Sequence, residues 1–353
     1  MTLTLSSHFW LVVGAAFALI LVGTGIANAE ASAAGASPSD MSLVPFGEAL
    51  FHSKALSLDQ TLACASCHGA DSGLSGIDPK AVGIFDQIGV RRAPALINLY
   101  AAKNLMWDGR AGSLIQQIPM PLQSPIEMAI DWDRALPNLR ADPGMGAFRR
   151  MFDDRAVDRS EIVAALAAYV GSLVSGNSPF DRYYFRDDES AISDAAKRGF
   201  RVFSRKARCV SCHLVDGASA MLTDDNFHSV GIGWDGRNYK DPGRSSVTDD
   251  PADAGKFKTP TLRNVAERPF LMHDGSMTSL KEVIAYYNRG GNEGAPNKDG
   301  RVVRLFLTSE EVDDLVAFLQ ALSAPIVSND PAVSSAALPL GLEPLRYRQS
   351  KIQ

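Results

Sequence analysis

Along the chain, apolar positions form one unbroken run and several periodic ones. The unbroken run, Phe9 to Ile26, carries no charge and is followed by the small residues Ala27-Asn28-Ala29 before Glu30. That order predicts an export signal over residues 1–29, cleaved after Ala29. The segment before the run holds His8 but no Lys or Arg, and the run is long enough to remain as an uncleaved anchor, so both outcomes stand. Either one puts the folded part outside the cytoplasm, in the periplasm. Residues 30–40, rich in Ala, Ser and Gly, read as a disordered linker.

The periodic runs predict helices. Phe46, Leu50 and Phe51 mark a first short one. Ile162, Leu166, Tyr169, Val170 and Leu173 give an apolar face over Ser160–Ser175, with Ser160 as its cap and Gly176 as its stop. Pro179 to Glu189 is polar and reads as an interdomain linker. Phe200 and Phe203 open a second unit, which closes on a helix over Thr308–Leu322, where Thr308 and Glu311 form a capping box and Leu315, Phe318, Leu319 and Leu322 face inward. The expectation is a mainly α protein with almost no sheet. Its segments are an N-terminal domain at 41–180, a C-terminal domain at 190–325 and an extended tail at 326–353.

Length and charge narrow the classes. The 353 residues suffice for two domains with well-buried cores, and a net charge of −5 with scattered Lys and Arg argues against nucleic-acid binding.

All four cysteines lie in two pentapeptides, Cys64-Ala65-Ser66-Cys67-His68 and Cys209-Val210-Ser211-Cys212-His213. In this pattern two sulfurs form thioethers to a haem while the adjacent imidazole reaches the iron. A redox dithiol or half a zinc site is the bland alternative, which the doubled motif disfavours. No cysteine is left for a disulfide framework. The expectation is two covalent c-type haems, with His68 and His213 as axial ligands.

An internal repeat supports two tandem domains of one kind. Ala93-Pro94-Ala95-Leu96-Ile97-Asn98 returns as Thr259-Pro260-Thr261-Leu262-Arg263-Asn264, and Leu105-Met106-Trp107-Asp108-Gly109 as Leu271-Met272-His273-Asp274-Gly275, each 166 positions later. The same offset pairs Pro121 with Tyr287. A helix capped by Ser279 with Glu282 at its third position carries Val283 and Tyr287 on one face. If that face closes over a haem, Tyr287 ligates iron in the second domain, while Pro121 has no ligating atom. One iron is then saturated and the other open.

These residues resemble the bacterial dihaem cytochrome c peroxidase family, and within it the methylamine-utilization branch. The resemblance spans about Met41 to Ala324. It rests on the two haem motifs, Met106-Trp107-Asp108-Gly109-Arg110, Pro125-Ile126-Glu127-Met128, and the segments around Pro260 and His273. It implies two cytochrome c-like domains with one haem each. Ordinary members carry a distal His between the first haem motif and Arg92-Ala93-Pro94. Here Gly69 to Val90 holds none. They also carry Met where this chain has Tyr287. A phenolate stabilises oxidised iron where a thioether favours reduced iron, which suits a haem that stores an oxidising equivalent.

By the same resemblance, Glu127 is the acid and base at the open haem, Gln117 hydrogen-bonds in that distal pocket, Pro121 shapes it, and Trp107 relays electrons between the haems. His273 is read as a hydrogen-bonding residue beside the second haem. His52 and His228 are read as structural, with a haem edge as the alternative for His228. The family's interdomain calcium uses an Asn where Arg92 stands, with carbonyls at Arg268 and Phe270, so calcium is left open. A branch-specific Trp before the second haem motif is Ala207 here, which leaves the electron exit open as well.

Three functions follow. The leading one is an oxidase that uses peroxide, or oxygen plus electrons, to form high-valent iron. It then oxidises a protein substrate at long range, the methylamine dehydrogenase precursor, whose tryptophans become tryptophan tryptophylquinone. The second is a cytochrome c peroxidase fed by a small cytochrome or cupredoxin. The third is a dihaem electron carrier with no catalysis.

Overall fold

A computed structural model describes residues 41–149, 157–215 and 221–328. The expected signal, the linker after it and the tail beyond Ser328 lie outside the described residues.

Seven helices of eight or more residues organise what is described: α1 (Val44–His52), α2 (Trp132–Ala141), α3 (Arg159–Ser172), α4 (Pro179–Arg186), α5 (Asp194–Arg201), α6 (Leu280–Asn288) and α7 (Ser309–Gln320). Four short strands complete it: β1 (Leu173–Ser175), β2 (Phe227–His228), β3 (Phe257–Lys258) and β4 (Ile326–Ser328). They make two separate antiparallel pairs, β1 with β4 and β2 with β3. The architecture is mainly helical, in two cytochrome c-like halves.

Each half repeats one device. A first helix leads into a Cys-x-x-Cys-His turn, and a later helix crosses that first helix at backbone distance. The crossing of α1 and α3 turns on Gly47, where a Cβ would stand 1.9 Å from the Ala165 carbonyl oxygen. The crossing of α5 and α7 turns on Gly199, where a Cβ would stand 1.9 Å from the Asp314 carbonyl oxygen. Phe51 lies on Tyr169 at 5.2 Å in the first core, and Phe203 on Phe318 at 4.9 Å in the second. Aromatic pairs at this spacing add to the burial of apolar area.

The sequence repeat is also a backbone repeat. The Leu105 N–H donates to the Ala111 carbonyl at 2.8 Å, and the Leu271 N–H to that of Met277 at 2.7 Å. Met106 and Met272 share a left-handed φ, 66° and 65°, as do Asn98 and Asn264 at 58° and 53°. Ser113 and Ser279 each cap the helix that follows. From there the halves part. In the second half α6 runs unbroken to Asn288. In the first, Pro119 and Pro121 remove two amide donors, and the segment divides into Leu114–Gln117 and Pro119–Gln123.

Four local expectations are corrected. The cap of α3 is Asp158, boxed with Glu161, rather than Ser160, because a carboxylate at 158 already accepts the Glu161 amide. The helix stops at Ser172, short of Gly176, because Leu173–Ser175 turns away to pair with β4. It also lacks a single apolar stripe, since every residue from Ile162 to Val170 is buried. Pro179 to Glu189 is no linker. Its first eight residues form α4, Ser178 caps it, and Phe180 sits fully buried in the second core. Its charge is spent internally, as Asp181 takes both guanidinium nitrogens of buried Arg263 at 2.5 and 2.8 Å. The closing helix α7 is capped by Thr308 and Glu311 as the pattern requires.

Gly47→Ala and Gly199→Ala should each cost about 1–3 kcal/mol or more, the penalty of forcing a methyl into a filled crossing. Chemical denaturation followed by far-UV circular dichroism checks this. An unchanged midpoint for both variants would show that the helices separate freely.

Candidate active site

Each haem motif is wound as a turn that leaves its histidine pinned. The His68 Nδ1 meets the Leu74 carbonyl at 3.2 Å, and the His213 Nδ1 meets the Leu222 carbonyl at 2.9 Å. A carbonyl accepts only, so Nδ1 carries the proton and Nε2 keeps its lone pair. Burial pushes both imidazoles down to about 4, so they are neutral ligands at pH 7. Burial also pushes the Cys64 and Cys209 thiols up to about 12 and that of Cys67 up to about 11. A redox dithiol needs the opposite shift.

In the second half, Cys209, Cys212, His213 and Tyr287 line one cavity, with apolar side chains such as Leu262, Val265, Val283 and Leu319 and with charged ones such as Lys258, Asp299 and Arg301. Tyr287 reaches it from α6. Burial, then the neighbouring Cys209 and Cys212, pushes its phenol above the ordinary range, so it is protonated at neutral pH. Arg268 enters the same cavity, and its Nε is buried with no hydrogen-bond partner among the described residues. An apolar slot with two thiols, a neutral imidazole, a phenol and an unspent guanidinium donor suits a porphyrin with carboxylate arms. The residues present fit a c-type haem.

The first half gathers its candidates differently. Gln117 and Trp107 line a cavity between the halves, together with Met106 of the first and Asp224, Asn226 and Lys258 of the second, and the Gln117 amide lies 3.6 Å from the Met106 sulfur. Cys64, Cys67, His68, Pro121 and Glu127 are not on its wall. Glu127 and Pro121 come together in a reversed loop, in which the Met128 N–H donates to the Pro121 carbonyl at 3.2 Å. The Glu127 carboxylate is close enough to Cys67 to add to the rise that burial imposes on that thiol. Where α6 carries Tyr287 in one half, this loop carries a proline and an acid in the other.

Trp107 lines both cavities, as do Arg92, Lys258, Pro260 and Arg268. It is 7% exposed, its Nε1–H donates to the Arg92 carbonyl at 2.8 Å, and its own carbonyl accepts the Lys258 N–H at 2.8 Å. The ring of His273 stands 6.3 Å away and lies flat on Phe257 at 3.6 Å. His273 therefore contributes a stacked ring and a backbone carbonyl, which accepts the Arg92 N–H at 2.8 Å. His228 does face the cavity of Cys209, Cys212, His213 and Tyr287, held between Asp224 and Asp299 at 2.8 Å each.

Sequence reasoning missed Arg91. It joins Asp108 at 2.6 Å to Asp241 at 2.6 Å beside Trp107, bridging the halves. Its only signal was the doubled Arg before Ala93-Pro94.

A family model for di-haem cytochrome c peroxidase matches residues 41–190, and one for cytochrome c matches residues 196–323. The methylamine utilization protein MauG of Methylorubrum extorquens is 37% identical over 82% of this chain and 80% of its own length. The chain belongs to the di-haem cytochrome c peroxidase family. The cytochrome-c peroxidase IdrP1 of Denitromonas iodatirespirans is 31% identical over 87% of this chain and 88% of its own. A crystal structure of a MauG-like protein associated with microbial copper homeostasis superposes with a TM-score of 0.73 at 29% identity, over 81% of this chain and 90% of that one. Relatives in this family are named as peroxidases and as MauG, so the chain is an oxidoreductase whose family implies two c-type haems.

Burial pushes the Asp108 and Asp241 carboxyls up, but hydrogen bonds and charge from Arg91 outweigh it and hold both below the ordinary 3.8. A depressed carboxyl contributes stability above its unfolded value and loses it as the pH falls through the lowered folded value. Acid destabilisation should therefore set in below about pH 4. Asp241→Asn should be less stable at neutral pH and respond less to acid, as thermal unfolding across the acid range would show. Parallel curves for the two proteins would remove this bridge from the account.

Proposed function

We propose that this chain is a periplasmic di-haem oxidase of the MauG type. It uses peroxide, or oxygen plus electrons, to oxidise a protein substrate at long range. That substrate is the methylamine dehydrogenase precursor, in which tryptophans become tryptophan tryptophylquinone. The observation that carries the reading is the unlike build of the two halves. Tyr287 stands with Cys209, Cys212 and His213 in one cavity, whereas the first half has Pro121 at the matching position and no histidine from Gly69 to Val90 to cap its iron. The similarity to MauG over most of both chains supports the same choice.

Bound haem supplies one-electron chemistry and, at the open iron, a place for peroxide to react. His68 and His213 would hold the haem irons, their rings fixed by the carbonyls behind them, and Cys64, Cys67, Cys209 and Cys212 would tether the macrocycles. Glu127 would serve as the acid and base that moves a peroxide proton. Gln117 would donate a hydrogen bond toward the oxidant, and Pro121 would offer no competing ligand. Trp107 would relay electrons between the two sites. Tyr287 would be the phenol ligand of the second haem, and a phenolate favours oxidised iron.

The second reading is a peroxidase that draws electrons from a small cytochrome or cupredoxin, favoured by the similarity to IdrP1. Ferric protein should show one high-spin and one low-spin haem by electron paramagnetic resonance, and two low-spin signals would contradict an open site. With precursor and peroxide, the wild type should form the quinone. Tyr287→His should keep both haems and form none, and Glu127→Gln should slow the peroxide reaction about 10²–10⁴-fold. Fast turnover of a reduced donor with no precursor oxidation would establish the peroxidase instead.

A further inference from the structure

The seam between the halves holds a charge that the reaction does not use. Arg92 is 2% exposed, and its Nε, Nη1, backbone N–H and carbonyl are committed across or along that seam. Its Nε donates to the Met272 carbonyl at 3.2 Å and its Nη1 to the Ala93 carbonyl at 3.2 Å and to the Ser75 hydroxyl. Its N–H reaches His273, its carbonyl receives Trp107, and its guanidinium lies 5.4 Å over the Trp107 ring. One side chain thus ties Ser75 and Ala93 of the first half to Met272 of the second.

The resemblance leaves an interdomain calcium open, with an Asn where Arg92 stands and carbonyls at Arg268 and Phe270. The residues present do not fit it. Calcium takes six to eight oxygen ligands, and position 92 offers a guanidinium in place of an amide oxygen. A second guanidinium lies on the same seam, since Arg268 donates to the Thr261 carbonyl at 3.0 Å and also to that of Arg263. The nearby carboxylates are engaged as well. Asp224 holds His228 at 2.8 Å, and Asp225 accepts the Lys103 and Asn104 amides at 2.7 and 3.0 Å and faces Lys258 at 3.2 Å. Burial pushes Arg92 down to about 10 and Arg268 down to about 9, the latter also through the charge of Arg92, yet both stay cationic at pH 7. A divalent cation added beside two buried cations in a poorly screened interior is repelled from both.

We propose that Arg92 replaces the interdomain metal with a covalently tethered cation, so that this enzyme joins its two haem domains without calcium. The seam then keeps its positive charge when free calcium is scarce or chelated, and its strength no longer varies with calcium concentration. This goes beyond the proposed substrate, and its failure would leave that reading intact.

The test uses the full-length protein with both haems. Metal analysis after desalting should find calcium far below one per chain. Overnight chelation with EGTA should leave the spin-state signals and the thermal midpoint unchanged. Arg92→Asn restores the expected ligand and removes the tethered charge. It should lower the midpoint by several degrees, and added calcium chloride should raise the midpoint of this variant but not that of the wild type. One calcium per wild-type chain, a shift of the wild-type spectrum or midpoint on chelation, or an Arg92→Asn midpoint indifferent to calcium would each overturn the proposal. The first two measurements stand even if the variant does not fold.

Discussion

Two backbone-distance helix crossings carry the rest of the molecule. Where α1 meets α3 and α5 meets α7, a glycine lets one helix lie against a carbonyl of the other. The side chains around each contact, Phe51 with Tyr169 and Phe203 with Phe318, fill the core on one flank. The Cys-x-x-Cys-His turn comes later in the chain than the first helix of each pair, and its first cysteine, Cys64 or Cys209, packs against the core that the crossing builds. The site therefore leans on a contact that contains none of the site residues.

The halves also depend on one another. Leu173–Ser175, just after α3, pairs antiparallel with Ile326–Ser328, which follows α7. The segment that ends one repeat thus completes the end of the other, much as a symmetric dimer would share an edge. Arg91 and Arg92 add an ionic and a hydrogen-bonded bridge on the face where Trp107 sits. Within this near-symmetry the functional differences are few and local: two prolines, a reversed loop with Glu127, and an uninterrupted α6 with Tyr287.

Much of this was legible in the sequence because it is written in local spacing. The haem motifs, the constant offset between the repeats and the capping boxes at Ser279 and Thr308 each depend on residues a few positions apart. What escaped depends on partners far along the chain. Polar Asp181 made α4 look like a linker, since nothing local shows that Arg263 waits for it inside the second core. Ser160 looked like a cap because the competing claim of Asp158 differs by only two positions. The alanine-rich surroundings of Ile162 to Val170 concealed that α3 is covered on all sides. Arg91 gave no sign of bridging, because its acid at 241 lies in the other half.

The surroundings of Trp107 bear on how long a charge can rest there. An indole that loses an electron becomes strongly acidic and settles only if a base takes its proton. Its N–H points at the Arg92 carbonyl, a weak base with no onward path, and the guanidinium above its ring opposes positive charge on that face. If Trp107 relays electrons as proposed, its oxidised form would be an uphill, short-lived waypoint, and lasting oxidising equivalents would have to reside elsewhere.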